Sequence, residues 1–465
     1  MKKLTFLLLF FSFQTVFGQA IEGQWNGVLS VQGTQLRLVF HIKKTGETYV
    51  STMDSPDQGA KDIPVTSTVF DGKKINLEVT NAGIKYEGEL DGESKITGTF
   101  SQGNFKTAME LGREKVAVKR VLKPQDPIEP YGYYSEEVKF ENKSDNITLA
   151  GTLTLPKKAG KYPVVILISG SGPQNRDEEL LGHRPFLVIA DHLTKNGIGV
   201  LRYDDRGTFE STGKFKGATS EDFAKDVEAA LSYLLTRDDI EKSKIGLIGH
   251  SEGGLIAPMV ASRNKDVAFI VLLAGPGISG AELLPIQTSL IEKANGASKA
   301  EVKKSKKLSS EIFEIVAKSN DNTKLEADLT TKLKTIYAKS SPNERKKAGT
   351  EDEFLKTQLT TILDPWFLNF LKHDPRATLE NVKCPVLAIN GEKDLQVPPK
   401  ENLNAIEKSL KKGGNSDVTI LEFPNLNHLF QESTTGSPKE YAKIEQTFAP
   451  VALESISTWV LKRVK

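Results

Sequence analysis

The chain has 465 residues, too many for one ordinary domain, with 62 basic and 60 acidic side chains. That balance leaves no electrostatic footprint for nucleic acid, and no RNA- or DNA-binding signature accompanies it. A single cysteine, Cys384, excludes an intramolecular disulfide and a thiolate cluster for a metal.

Met1-Lys2-Lys3 and the apolar run 4–17 read as a secretory signal peptide over residues 1–18, cut before Gln19. The run is short for a spanning helix and no second one follows. The expectation is a periplasmic or secreted protein with no membrane span after signal removal. Residues 19–115 alternate apolar and polar side chains over 35–42, 74–79, 84–90 and 95–100. Asp71-Gly72, Asn81-Ala82-Gly83 and Asp91-Gly92 mark hairpin turns between them. About eight short strands and no helix predict an antiparallel meander closing into a small barrel or half-barrel. Gly23-Gln24-Trp25 near its start resembles the G-x-W of lipocalins. This β domain reads equally as a grip for polysaccharide or lipid and as a stability or dimerisation module. Residues 116–133, with Pro124, Pro127 and Pro130, read as a linker.

From residue 134 the pattern changes. Residues 136–141 and 147–155 form an antiparallel pair, and then continuous apolar strands alternate with helices. Strands are predicted at 162–168, 199–203, 244–250, 267–274, 386–389 and 418–423. Helices are predicted near 184–196, at 220–235, after Ser251, from near Pro398, and from about Glu445 to Val464. This is an α/β fold with a doubly wound, mostly parallel sheet covered on both faces. It occupies 134–277 and 377–465. The interruption at 278–376 has helical periodicity and is read as a cap. Its lysine runs are a solvated face. Trp366, Phe367, Phe370 and Leu371 near its end either line a pocket or fasten the cap to the core.

The strand ending at His250 runs into Gly249-His250-Ser251-Glu252-Gly253 and then into helix-forming residues. This is G-x-S-x-G between a strand and a helix, the elbow that lifts a serine hydroxyl clear of a sheet. A side chain at either glycine would crowd the turn. Ser251 is the candidate nucleophile, and it needs a base. Six histidines allow elimination. His41 lies in the β domain, His183 and His192 flank the first core helix, and His373 ends the cap. His250 is expected to point away from the serine. His428 follows the last strand, on the same sheet edge as the elbow, and is the candidate base. Asp394 follows the preceding strand and is its candidate carboxylate, with Glu392 as rival; Asp204 and Asp205 follow the wrong strand. The order Ser251, Asp394, His428 is that of α/β-hydrolases. The oxyanion hole needs two converging N–H donors. Glu252 supplies one, and the glycine-rich loop 169–177 the other, from Ser171 or alternatively Gly172.

With these motifs the chain resembles α/β-hydrolases with a helical cap, and within them secreted bacterial serine esterases carrying a small N-terminal β domain. The stretches that carry the resemblance are 168–177, Arg202-Tyr203-Asp204-Asp205-Arg206-Gly207, 249–253 and 390–398. The resemblance implies hydrolysis of a small-molecule or saccharide ester through an acyl-enzyme, without a cofactor. One departure is Thr208-Phe209-Glu210, where related chains continue Arg-Gly with Val-Gly or Ile-Gly and a serine. The rival enzyme is a serine exopeptidase or amidase, with Glu210 or Glu252 anchoring a substrate amine; a thioesterase or acyltransferase is a further variant. A non-catalytic binding protein is the alternative from another class. No metal-site spacing such as H-E-x-x-H, no phosphate loop and no dinucleotide site is present. Oligomeric state leaves no trace in the sequence.

Overall fold

The computed structural model describes residues 21–31, 34–58, 60–103, 105–116 and 122–465. The expected signal peptide lies outside the described residues. The chain divides into two compact units, one up to Arg120 and one from Val121 onward.

The first unit holds β1 (Gly23–Val31), β2 (Thr34–Thr45), β3 (Thr48–Ser55), β4 (Ala60–Val65), β5 (Ser67–Phe70), β6 (Lys74–Val79), β7 (Ile84–Asp91), β8 (Lys95–Gln102) and β9 (Phe105–Gly112). There is one strand more than the sequence suggests, and two single 3-10 turns occur. All pairs are antiparallel, in the order β4-β3-β2-β1-β9-β8-β7-β6-β5. Pairing of β1 with β9 joins the two halves of the meander into a nearly closed, barrel-like sheet. One face of every strand turns inward, as period-two patterning requires. Trp25, Phe40, Tyr86 and Phe100 fill the interior.

The second unit opens with β10 (Tyr134–Asn142), β11 (Ile147–Leu155), β12 (Tyr162–Ile168), α1 (Pro185–Lys195), β13 (Gly199–Tyr203), α2 (Ser220–Leu235), β14 (Ile240–His250), α3 (Gly253–Arg263) and β15 (Phe269–Leu273). A helical insertion follows: α4 (Gly280–Ala294), α5 (Lys299–Lys318), α6 (Asn322–Lys339), α7 (Pro342–Ala348), α8 (Glu351–Ile362), α9 (Pro365–Lys372) and α10 (Pro375–Leu379). The core resumes with β16 (Val386–Gly391), α11 (Pro399–Lys412), β17 (Val418–Phe423) and α12 (Pro450–Val464). The sheet order is β10-β11-β13-β12-β14-β15-β16-β17. β10, β11 and β13 pair antiparallel; every pair from β13–β12 onward is parallel. Helices α2, α3 and α11 cover one face and α1 and α12 the other, each face with its own apolar core. Parallel strands buried on both sides explain why they read as unbroken apolar runs.

Local signals set the element ends. Four cap helices start at a Ser or Thr with Glu three residues on: Ser279, Ser298, Ser341 and Thr350. Each side chain accepts from the backbone N–H three residues ahead while the glutamate reaches back. Helix α12 begins at Pro450, later than the expected 445. Proline lacks an N–H and is tolerated only in the first turn of a helix, so the helix cannot extend backward through it. Within the expected linker 116–133, Asp126 is buried against Arg184 at 2.9 Å, and the Gln125 carboxamide oxygen accepts from the Thr447 and Phe448 amides. The residues from 122 onward thereby pack as part of the second unit.

Tyr86 donates its hydroxyl to the Met109 carbonyl at 3.0 Å inside the first unit. A Cβ on Gly98 would sit 2.5 Å from the Tyr86 hydroxyl oxygen and 2.5 Å from the Glu87 carbonyl oxygen. Gly98→Ala is expected to destabilise this unit by about 2 kcal/mol, since backbone cannot yield cheaply to overpacking. Native-state hydrogen exchange of the β7–β9 amides in the full chain measures it, and unchanged protection would refute the packing argument.

Candidate active site

The elbow is built by exclusion of side chains. Ser251 sits at φ 52°, in the left-handed region, between β14 and α3. A Cβ on Gly249 would lie 1.9 Å from the Gly253 carbonyl oxygen, and one on Gly253 would lie 2.1 Å from that of Ile168. Only glycine allows strand and helix to approach so closely. The Ser251 amide donates to Leu273 of the neighbouring strand at 2.8 Å, which locks the strained residue to the sheet. The Ser251 side chain lines a cavity of about 260 Å³.

His428, in the loop after β17, lines the same cavity. Its Nδ1 is 2.8 Å from Asp394 Oδ2, and both side chains are almost fully buried. Asp394 lies just after β16, and its other oxygen accepts the Gln396 and Val397 amides, each at 2.8 Å. The carboxylate fixes the proton on Nδ1 and leaves Nε2 able to accept one. The rival Glu392 instead accepts the Asn425 amide. Asp204 is held by Arg176, and Asp205 by the Ser169 hydroxyl and the Gln174 amide. His41 pairs with Asp54 and His192 with Ser457. His183 lines the cavity but is tied to Thr447 and the Tyr441 carbonyl. His373 ends α9.

Ser171 and Glu252 also line the cavity, and among the described residues no acceptor is found for either amide. The neighbouring Gly170 amide is taken by Glu178 Oε1 at 2.6 Å. Gly172, the alternative donor, is not a lining residue. The Glu252 side chain is held by two donors. It accepts from Ser220 Oγ on α2 at 2.6 Å and from Trp366 Nε1 on α9 at 2.8 Å. Burial pushes its carboxyl above the ordinary range, against the bonds from Ser220, Trp366 and Ser171 that favour ionisation.

Three features escape the sequence reading. His250 does not point away: it lines the cavity, with its ring centre 4.9 Å from that of His428. In an extended strand it would face the opposite side from Ser251, but the left-handed turn swings the serine round. Glu178, whose position in a loop carries no periodic signal, lines the cavity too. The aromatic cluster splits: Trp366 and Phe370 line the cavity, stacked at 5.5 Å, while Phe367 and Leu371 pack inside the cap. Positions 366 and 370 share one face of α9, and 367 and 371 the next. The departing loop lies outside the cavity lining and braces the oxyanion loop, Thr208 donating to the Gln174 carbonyl and Arg176 pairing with Glu210. Among the described residues no His, Cys, Asp or Glu cluster could hold a metal ion, and no helix is long and apolar enough to cross a membrane.

The sequence model of the hydrolase family described as "Serine aminopeptidase, S33" matches residues 185–433, from α1 through the His428 loop. The chain belongs to that family. It is an α/β-hydrolase. The chain is similar to "Esterase EstD" of Thermotoga maritima, 26% identical over 398 residues that span 84% of this chain and 81% of that one. Among solved structures it is similar to the Pyrococcus furiosus esterase Pf2001, with TM-score 0.43 and 18% identity over 72% of this chain and 94% of that one. It is also similar to the alpha/beta hydrolase GrgF from Penicillium sp. sh18, with TM-score 0.44 and 16% identity over 71% and 98% of the two chains.

The Glu252 carboxyl gives a pH prediction for this hydrolase. Its folded pKa is raised, so the stability it contributes is full below its ordinary value of 4.5 and is lost as pH rises through the folded value. Glu252→Gln keeps an acceptor for Ser220 and Trp366 and cannot ionise. The variant is expected to be no more stable than the parent at pH 4 and more stable at pH 8, read as the difference in thermal midpoint. Equal differences at both pH values would mean that Glu252 ionises freely in the fold.

Proposed function

We propose that the protein hydrolyses small carboxylic esters through an acyl-enzyme on Ser251. The observation that carries this reading is the His428–Asp394 pair, 2.8 Å apart, on the wall of the cavity that Ser251 also lines. The family supports a serine hydrolase, and the likeness to the Thermotoga esterase supports the ester class. In this mechanism Ser251 Oγ attacks the ester carbonyl carbon while His428 Nε2 takes the hydroxyl proton. Asp394 holds the imidazole and stabilises its charged form. The carbonyl oxygen becomes an oxyanion facing the Ser171 and Glu252 amides. His428 then hands the proton to the departing alcohol oxygen. Water attacks the acyl-enzyme with His428 again as base, the acid leaves, and Ser251 regains its proton.

The cavity favours a small acyl group. Leu283 and Leu284 of α4, Trp366 and Phe370 of α9, and Val397 form an apolar wall around a volume of about 260 Å³. Gln174, Gln287 and Gln396 line it as polar groups, which suits an alcohol portion bearing hydroxyls, as in a saccharide ester. The peptidase reading suffers from its anchor. The carboxylates among the lining residues are Glu178, bonded to His250 and Gly170, and Glu252, which burial keeps toward its neutral form. Glu210 is paired with Arg176. The signal peptide expected over residues 1–18 supports a reaction in the periplasm or outside the cell.

A p-nitrophenyl ester series from C2 to C12, beside aminoacyl-nitroanilides, tests the proposal. Turnover is expected for short acyl chains, and Ser251→Ala and His428→Ala should each lower kcat by roughly 10⁴-fold or more. Amide cleavage without ester cleavage would replace this reading by the peptidase one. No turnover, with Ser251 unreactive toward a fluorophosphonate, would leave a binding protein. Trp366→Leu removes the largest side chain of the apolar wall and is expected to move the optimum toward longer acyl chains; an unmoved optimum would place the acyl group elsewhere in the cavity.

A further inference from the structure

Besides Ser251 and His428, the cavity is lined by a second histidine–carboxylate pair that the mechanism above does not use. His250 Nδ1 is 2.9 Å from Glu178 Oε1, and His250 Nε2 is 3.0 Å from the backbone carbonyl oxygen of His428. Both side chains of the pair are nine-tenths buried or more. The same Glu178 oxygen takes the Gly170 amide at 2.6 Å. One carboxylate oxygen therefore meets the loop that carries Ser171, the residue before the nucleophile and, through His250, the loop that carries His428. Glu178 adopts φ 50°, a conformation that costs a non-glycine residue free energy and persists only where its surroundings enforce it.

The partners bias the charge of His250. A carbonyl oxygen can only accept, so Nε2 carries a proton. Glu178 Oε1 already accepts the Gly170 amide and lies 2.9 Å from Nδ1. An acceptor at both edges favours the imidazolium form. Its surroundings agree: burial pushes its pKa down, but the Glu178 charge and hydrogen bond, the His428 carbonyl and the Asp394 charge together push it above the ordinary value.

We propose that Glu178 and His250 are positioning residues for His428, orienting the base through its backbone carbonyl and setting the pH range over which it works. This rests on the reading of His428 as the base. Two consequences follow. Donation by Nε2 fixes the His428 peptide plane, and with Asp394 on Nδ1 the imidazole is constrained from both its backbone and its ring. The charge also matters, because a positive ring centred 4.9 Å from His428 opposes a second positive charge there. The titratable groups facing His250 are Glu178 from the loop after β12, Asp394 from the loop after β16 and the His428 ring from the loop after β17. Glu178 lies on the ring edge away from the His428 carbonyl, so loss of the pair removes the nearer, positive member from beside the base.

The test uses the full chain, with kcat and KM on a short p-nitrophenyl ester and turnover normalised per site by fluorophosphonate titration. Glu178→Gln is close to isosteric and removes the charge, and His250→Gln keeps a donor but no cation. Each is expected to lower kcat about tenfold, a fraction of the 10²–10⁴ that a positioned base contributes, with KM within about twofold. Burial disfavours the His250 cation once the Glu178 charge is gone, so both variants lose the positive ring beside His428 and the acid limb of the kcat/KM profile should move to higher pH. Because the pair acts as one unit, the Glu178→Gln, His250→Gln double variant should lose no more than the worse single variant, instead of the product of the two. The proposal is overturned if Glu178→Gln keeps the parent's per-site kcat and acid limb, whatever its thermal midpoint, since the pair would then serve only folding. Multiplicative losses in the double variant would also overturn it. His428→Ala run alongside separates the two readings. An active His428→Ala enzyme refutes the base assignment itself. An inactive one beside a normal Glu178→Gln refutes only the positioning role.

Discussion

The close approach of β14 and α3 at the elbow is the constraint on which the site depends. Ser251 holds φ 52° only because Gly249 and Gly253 leave room that no Cβ could share. The free energy of that strain comes from the sheet. Ser251 donates to Leu273, and the strands on both sides of β14 are packed between two apolar cores. A nucleophile on a looser turn would relax into the β region and lower its hydroxyl into the sheet. Stability of the core and exposure of the serine are thus one problem with one solution, which is why the elbow lies on a central strand.

Around that fixed point, three loops are held by carboxylates. Asp394 gathers the Gln396 and Val397 amides and the His428 ring. Asp205 ties the Ser169 hydroxyl and the Gln174 amide, clamping both ends of the oxyanion loop, and burial pushes its own pKa well up. Asp204 accepts from the Arg176 backbone and guanidinium in the same loop. Each carboxylate takes at least one backbone N–H that would otherwise lack a partner. A loop fixed this way loses little entropy when substrate arrives, and preorganised donors are what an oxyanion site requires.

The sequence makes the α/β unit legible because its physics is local or periodic. Residues 220–235 are the bounds of α2, since Thr219 and Asp222 close a capping box ahead of an amphipathic run. The parallel strands declare themselves as apolar runs, and the elbow by its glycines. Less local features are hidden. The orientation of His250 depends on a single left-handed residue that follows it. Glu178 acts through a loop bond to Gly170 and has no spacing to announce it. Whether Trp366 or Phe367 faces the cavity depends on how α9 packs, which its composition does not fix, although the i, i+4 pairing of 366 with 370 and 367 with 371 restricts the choice to two faces. Residues 122–130 read as linker because prolines dominate their composition, whereas what fastens them is one buried ion pair from Asp126 to Arg184 and the hydrogen bonds of Gln125.

A buried carboxyl ties the cap to this site. Trp366 lies on α9, stacks on Phe370 and donates to Glu252, whose own backbone belongs to the elbow. Ser220, the first residue of α2, donates to the same oxygen. One oxygen therefore fixes the indole that walls the apolar side relative to the amide that faces the oxyanion position. A carboxyl biased toward its neutral form accepts two bonds with one oxygen and places less negative charge beside Ser251.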